Sequence, residues 1–341
     1  MTLTDIIASG RLNNSLIFGY YGGGNFGDEL LLEVLLELFE QGEVQDVSFM
    51  YSDPQRYKRM HRARSYTPIF GYKRVLGQLL RRRNIIVGGG GHWGLDMNPR
   101  IFVMTLGFFL LHFLLRKKVY LLGVGYYNST NRLGHLSAWL VAKSSEVILA
   151  RDEESHRNFK RLSRRTHKDR DIVFNLGEID LAAYEPEAQD MVATLPIDGA
   201  TTLIGLRRFQ AKYANGYRGL VERLIESSPH RRFALMIFEP RQVDPEGYAY
   251  IQDLARRYAN VVAADFGRNP LAFVAYLKLH NHQLRVIAPQ YHVQLVAHLL
   301  GIKHFPLVYD RKVEELLRDF GTPQTWPIKT LSLEPMQEFT Q

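Results

Sequence analysis

The sequence predicts two α/β domains, each built on a parallel sheet. Three observations predict it. The chain has 341 residues, which suits two domains of roughly 150 residues each. Short apolar runs alternate with segments of helical periodicity along almost its whole length. Several of those runs end directly in glycine-rich or charged loops, where open parallel sheets bind ligands.

The first half begins with the apolar run Ser15 to Tyr20, which ends in glycines. Asp28 to Phe39 then carries Leu30, Leu31, Val34, Leu35 and Leu38 at helical spacing. Val47 to Tyr51 is the second strand and Asn84 to Val87 the third. Ile101 to Leu115 is the strongest apolar run, 15 residues closed by Arg116, Lys117 and Lys118. A bilayer span needs about 20 residues, so the run reads first as a buried helix. Contact with a membrane surface is its second reading. Val119 to Val124 is a strand, Leu133 to Ser144 a helix and Glu146 to Ala150 a strand.

Periodicity weakens from Asn175 to Asp198, which holds Pro186 and Pro196. That stretch reads as the crossing between domains, which places the domains at 1–175 and 176–341. Alternation then resumes. Strands fall at Thr201 to Leu206, Arg232 to Phe238, Val261 to Ala264, Leu284 to Ala288 and His304 to Val308. Helices fall at Tyr217 to Ser227, Gly247 to Tyr258, Pro270 to Leu279, Tyr291 to Leu300 and Val313 to Phe320.

Composition excludes several classes of function. With no cysteine there is no disulfide, thiolate metal site or Cys nucleophile. The formal net charge is +8, which suits anionic small substrates, anionic membrane surfaces or nucleic acid. The basic knots at 81–83, 116–118, 164–165 and 231–232 come with no nucleic-acid-binding signature, so no nucleic-acid partner is expected. Met1 to Ser15 has no apolar stretch of signal-peptide length. A cytoplasmic protein is expected, and the apolar helix leaves room for peripheral contact with the inner membrane face.

Four loops after strands carry the chemistry. The first, Gly19 to Glu29, has five glycines in nine residues (Gly19 to Gly27) before Asp28 and Glu29. Such glycines allow close approach of a ligand, but two carboxylates at a helix start oppose an anion there. The plain alternative is a tight turn with Asp28 as helix cap. The second loop, Gly88 to Asp96, carries five glycines, His92 and Asp96. The third is Arg151 to Ser155, where the Arg151 fork suits a carboxylate or phosphate or pairs with a neighbouring acid such as Asp152. Arg207 and Arg208 end the first strand of the second half in the same way. The fourth, Ala288 to His292, places His292 at a strand-to-helix junction, where an imidazole can give or take a proton near neutrality.

Together these pieces resemble the polysaccharide pyruvyl transferases. Gly19-Tyr20-Tyr21-Gly22 with Asn25-Phe26-Gly27-Asp28-Glu29 is similar to that family's opening loop. Gly89-Gly90-Gly91 with Asp96, Arg151-Asp152-Glu153-Glu154-Ser155, and Arg207 are similar to its next motifs. Pro289-Gln290-Tyr291-His292, Gly301-Ile302-Lys303, Tyr309-Asp310-Arg311-Lys312-Val313 and Phe320-Gly321 resemble its closing ones. Two positions depart. Gln290 stands where the family has Arg, and Leu176-Gly177-Glu178-Ile179 replaces an Asp-Pro-x-Phe motif.

The resemblance implies two Rossmann-like parallel-sheet domains facing across a cleft, a glycosyltransferase-B-like architecture. It implies phosphoenolpyruvate as donor substrate, a saccharide acceptor that is free, polymeric or lipid-linked, and a ketal product of surface polysaccharide synthesis. No cofactor and no metal are called for. His292 is expected as general acid and Asp28 as a base. Arg151, Arg207, Gln290 and Lys312 are expected at the donor, and Asn25, Gly89, Gly90 and Asp96 at the acceptor. The alternatives are a nucleotide-sugar glycosyltransferase of the same architecture and a non-catalytic saccharide-binding member.

Overall fold

The computed structural model describes residues 1–55, 57, 66–91, 93, 99–127, 131–193, 195, 197, 199–206, 211–238, 244–266 and 269–341. The chain divides into two compact units. The first comprises Met1–Gly23 and Asp28–Ile179, the second Gly24–Gly27 and Asp180–Gln341. Four residues of the opening loop therefore group with the second unit.

The first unit holds a seven-stranded sheet, every pair of it parallel. Its strands are β1 (Ser15–Phe18), β2 (Val47–Met50), β3 (Thr67–Ile69), β4 (Asn84–Gly88), β5 (Lys118–Val124), β6 (Ser145–Ala150) and β7 (Thr166–Lys168), in the spatial order β3-β2-β1-β4-β5-β6-β7. β1 and β4 are buried along their whole length, as strands covered on both faces must be. The connections from β1 to β2 and from β4 to β5 run in opposite directions across the sheet. With right-handed crossovers, their helices cover opposite faces. The helices Tyr72–Arg81, Pro99–Leu115 and Arg132–Ser144 share one face. Val75, Leu79, Met104, Phe108, Ala138 and Val141 all pack into the same core as Leu16, Ile85, Val119 and Ile148.

Three sequence expectations change here. β3 and the helix Tyr72–Arg81 were not anticipated; β3 is three residues long and contains Pro68, so it shows no strand alternation. The first long helix is Phe26–Gln41 and begins two residues before Asp28. Asp28 is thus inside the first turn rather than at the cap, and Asn25 takes that place by accepting from the Gly27 amide at 3.0 Å. The apolar run is a helix, Pro99–Leu115, but not a buried one. Thr105 and Phe108 are its buried residues, while Val103 is 67% and Leu114 75% exposed. With apolar residues all round, periodicity could not say which side faces the sheet.

Between the units the chain runs through short helical turns, Ile172–Glu178 and Leu181–Tyr184, and the helix Glu185–Asp190. The second unit then builds a five-stranded parallel sheet from β8 (Thr201–Leu206), β9 (Arg232–Ile237), β10 (Val261–Asp265), β11 (Leu284–Ile287) and β12 (Lys303–Phe305), in the order β10-β9-β8-β11-β12. The helix Pro270–Leu279 is buried over eight consecutive residues. Its cap Asn269 accepts from the Leu271 and Ala272 amides and donates to Glu187 Oε2 at 2.7 Å, and its Tyr276 hydroxyl donates to the Leu195 carbonyl. The run expected as one strand, His304 to Val308, breaks at Pro306. Beyond the break, β13 (Leu307–Val308) pairs instead with β14 (Trp326–Pro327). A terminal helix, Leu333–Thr340, packs on this unit's core through Met336.

The helix Pro99–Leu115 offers a direct check on its own orientation. The Phe108 ring meets Phe18 edge-on, 5.0 Å between centroids, so Phe108→Ala is expected to destabilise the first unit by about 3–5 kcal/mol. Leu114→Ala on the outer side should change stability by less than about 0.5 kcal/mol. Urea unfolding followed by circular dichroism distinguishes the two.

Candidate functional site

In an open parallel sheet the strand ends separate where the chain order reverses, and ligands bind beyond that point. In the first sheet the reversal lies between β1 and β4, and in the second between β8 and β11. The motif loops follow these strands.

In the first unit the Tyr21 side chain folds back across the reversal. Its ring is buried, and its hydroxyl donates to the Gly88 carbonyl at the end of β4, at 2.5 Å. Burial, with Asp28, Glu29 and Asp171 nearby, pushes the Tyr21 hydroxyl well above the usual phenol range, so it stays a donor. Glu29, only 1% exposed, accepts from the Gly22 amide at 2.9 Å and the Tyr51 hydroxyl at 3.0 Å. Gly22 has φ +81°, and a Cβ there would overlap the Ser52 backbone. Asp28 is half-buried beside this latch. Gly89 and Gly90 have φ of +72° and +86°. Their backbones tie β4 to β5: Gly89 N donates to Leu122 O at 2.7 Å, and Gly90 O accepts from Gly125 N at 2.9 Å.

Arg151 follows β6 and is 4% exposed. Its guanidinium donates to the Tyr127 hydroxyl at 3.0 and 3.3 Å and pairs with Asp171 at 3.4 Å and Asp152 at 3.6 Å. Tyr127 in turn donates to Asp152 Oδ2 at 2.6 Å. The rest of this motif builds the local fold. Asp152 caps the helix Glu153–Lys160 by accepting from the Ser155 amide, and Ser155 Oγ accepts from Tyr126 N. The guanidinium is thus neutralised by two carboxylates.

In the second unit, Gln290 bridges the reversal in the same manner as Tyr21. It follows β11, is 8% exposed, and donates from Nε2 to the Leu206 carbonyl at the end of β8, at 3.0 Å. Its Oε1 lies against Gly205 and has no hydrogen-bond partner among the described residues. His292 stands in the first turn of the helix Tyr291–Leu299, half-buried, with its ring edge-on to Tyr291 at 5.0 Å. The loop residues 24–27 meet it here. A Cβ on Gly27 would overlap the His292 imidazole. Phe26 donates its amide to the Phe238 carbonyl at 3.1 Å, and its ring packs on Phe238, Phe266 and Phe273 at 5.2–5.6 Å. Asn25 caps the helix that follows. Lys312 pairs with Asp310 at 3.4 Å and lies over the Tyr309 ring. Asp310 caps the helix Arg311–Asp319 through the Val313 amide at 3.1 Å.

His92, Asp96, Arg207 and Arg208 lie outside the described residues. The structure therefore brings His292 together with Gly27 and its loop, and Gln290 with the end of β8. It joins Arg151 to Tyr127, Asp152 and Asp171.

A model of the polysaccharide pyruvyl transferase family matches residues 25–311. The chain belongs to that family. No curated protein matches it in sequence. Among solved structures, the UDP-GlcNAc 2-epimerase of Methanocaldococcus jannaschii superposes with TM-score 0.61 at 12% identity, over 95% of this chain and 90% of that one. S. aureus MnaA bound to UDP gives 0.63 at 13%, over 95% and 86%. Anabaena Alr3699/HepE with UDP-glucose gives 0.59 at 11%, over 96% and 88%. At these identities the likeness shows the fold, the two-sheet glycosyltransferase-B-like architecture of this family member.

Sequence reasoning passed over Tyr21, Tyr127 and Asp171. A signal was present for the two tyrosines. Gly19-Tyr20-Tyr21 follows β1 and Gly125-Tyr126-Tyr127 follows β5, and in both the second tyrosine turns its hydroxyl into a buried network. Asp171 had no such signal, because its partner is 20 residues away.

The approach of Gly27 to His292 predicts a coupled pair. Gly27→Ala alone should destabilise the protein, and adding His292→Ala should recover much of the loss. A double-mutant cycle in thermal unfolding should give a coupling of about 1–3 kcal/mol.

Proposed function

We propose that the protein transfers the pyruvyl group of phosphoenolpyruvate to two hydroxyls of a saccharide, forming a ketal and releasing inorganic phosphate. The observation that carries this reading is His292, which opens the helix after β11 at the reversal of the second sheet and lies within the span matched to the family.

The chemistry assigns the roles. His292 gives a proton to the methylene carbon, which becomes the methyl group, and the adjoining carbon becomes electrophilic. One hydroxyl adds there, phosphate departs with its bridging oxygen, and the second hydroxyl adds in its place. Of the two hydroxyl protons, one restores His292 and the other leaves with phosphate. Asp28 serves as base toward a hydroxyl. Asn25, Gly89, Gly90 and Asp96 serve the acceptor. Arg207 and Lys312 hold the donor's carboxylate and phosphate. Arg151, held by Tyr127, Asp152 and Asp171, serves as a third cation for the donor. Gln290 contributes an amide, whose Oε1 can accept a hydrogen bond but carries no charge for a phosphate.

That neutral amide favours a second reading, transfer from a nucleotide sugar. Calorimetric titration separates the two. Phosphoenolpyruvate should bind and raise the melting temperature by several degrees at saturating concentration, whereas UDP and UDP-N-acetylglucosamine should not. Binding of UDP without phosphoenolpyruvate would replace the first reading by the second. With an acceptor in hand, His292→Ala should lower phosphate release by about 10²–10⁴-fold. A near wild-type rate would remove His292 from the acid role.

A further inference from the structure

The first unit carries a surface that the proposed reaction does not use. Three helices, Tyr72–Arg81, Pro99–Leu115 and Arg132–Ser144, press their inner sides into one core against a single face of the sheet. Their outer sides therefore point the same way. Two contacts join them laterally. Ser137 Oγ donates to Thr105 Oγ1 at 3.0 Å, and Lys117, just past the second helix, donates from Nζ to the Leu80 and Arg82 carbonyls at 2.6 Å. The shared outer surface is apolar. Tyr72 is 93% exposed, and Leu76, Leu110, Phe113, Leu114 and Leu136 are exposed with it. Phe109 and Trp139 carry the patch from one helix to the next, with ring centroids 6.2 Å apart. The apolar side chains of the second and third helices, joined by this ring pair, form a patch of the kind that marks an interaction surface.

Charge says what the surface meets. From Tyr66 to Ser145 the sequence holds eleven Lys and Arg and a single acid, Asp96, and none of the three helices contains an acid. Lys117 is buried, and burial lowers its pKa, so it is not part of the surface charge. Lys73, Arg74, Arg81, Arg83, Arg100, Arg116, Arg132 and Lys143 are all exposed, at the ends of the helices or just beyond them. Apolar side chains rimmed by cations match a bilayer that offers acyl chains beneath anionic headgroups. Among the described residues no helix is long and apolar enough to cross a membrane, so the fit is to the surface.

We propose that this three-helix face docks the protein on an anionic lipid bilayer, independently of which group the enzyme transfers. Hydrocarbon contact comes from Leu110, Phe113, Leu114, Leu136 and Trp139, and headgroup attraction from the basic rim.

Vesicle co-sedimentation with the full chain tests it. The protein should sediment with phosphatidylcholine vesicles containing phosphatidylglycerol and at least tenfold less with phosphatidylcholine alone. In a Trp326→Phe background, brominated lipid should quench the fluorescence of Trp139, which is 42% exposed, whereas the other remaining tryptophan, Trp93, is buried. Two variant sets separate the contributions. Lys73→Glu, Arg74→Glu and Arg132→Glu lie in first helical turns, where a carboxylate is tolerated; together they should lower partition by roughly 100-fold. Leu110→Ser with Leu114→Ser should lower it at least tenfold and abolish the quenching. Unchanged melting curves confirm that both sets fold. No sedimentation with anionic vesicles would overturn the proposal. So would loss through the charge variants alone, which reads as unspecific attraction to a polyanion. A dimer by light scattering that the serine variants convert to monomer would also overturn it, because the face would then be covered by a second copy.

Discussion

Each sheet carries one buried side-chain hydrogen bond across the point where its strand order reverses. There two adjacent strands send their connections in opposite directions, and the carbonyls at their ends lose the partners a continuing ladder would supply. Leaving such a buried group unpaired costs about 1–3 kcal/mol. The first sheet closes the gap with the Tyr21 hydroxyl on Gly88, and the second with the Gln290 amide on Leu206. Both side chains come from the loop after one strand and reach the end of its neighbour. Both need glycine beside them, since a Cβ on Gly88 would press on the Tyr21 hydroxyl and one on Gly205 on the Gln290 amide. The glycine-rich loops are therefore partly a consequence of the sealing side chains.

Several polar residues of this chain's motif loops hold those loops together. Asp152 and Asp310 are helix caps, Ser155 holds the Tyr126 amide, and Glu29 latches Gly22 to Tyr51. Arg151 lies inside a network of Tyr127, Asp152 and Asp171 rather than presenting an open fork. The motif residues with room for chemistry are fewer. Gln290 differs from the loop-holding residues in carrying an oxygen that nothing in the described structure satisfies.

The apolar helix Pro99–Leu115 shows a second constraint. Covering a sheet needs one side of a helix, and this helix is apolar on both. Its neighbours, Tyr72–Arg81 and Arg132–Ser144, also expose leucines and aromatics outward. A helix carrying exposed leucine on a water-facing side gains nothing for folding from it. The excess apolar surface, concentrated on one face with nearly all charges positive, is better explained by a partner than by the core.

The α/β class and most strands were legible in the sequence, because covered parallel strands are short continuous apolar runs and their helices repeat at 3.6 residues. β8 and the helix Pro270–Leu279 fall where the pattern places them. β3 was not legible, since three residues around a proline carry no period. The motif loops and His292 were legible as chemistry-bearing residues set after strands, and their likeness to a family was readable from type and spacing. What each polar residue does was not. Whether Arg151 faces a ligand or Asp171, whether Asn25 or Asp28 caps the helix, and which side of an all-apolar helix meets the sheet depend on partners distant in sequence. Spacing along a chain records which residues lie near each other locally. Only the folded strands bring residue 21 to residue 88, and residue 290 to residue 206.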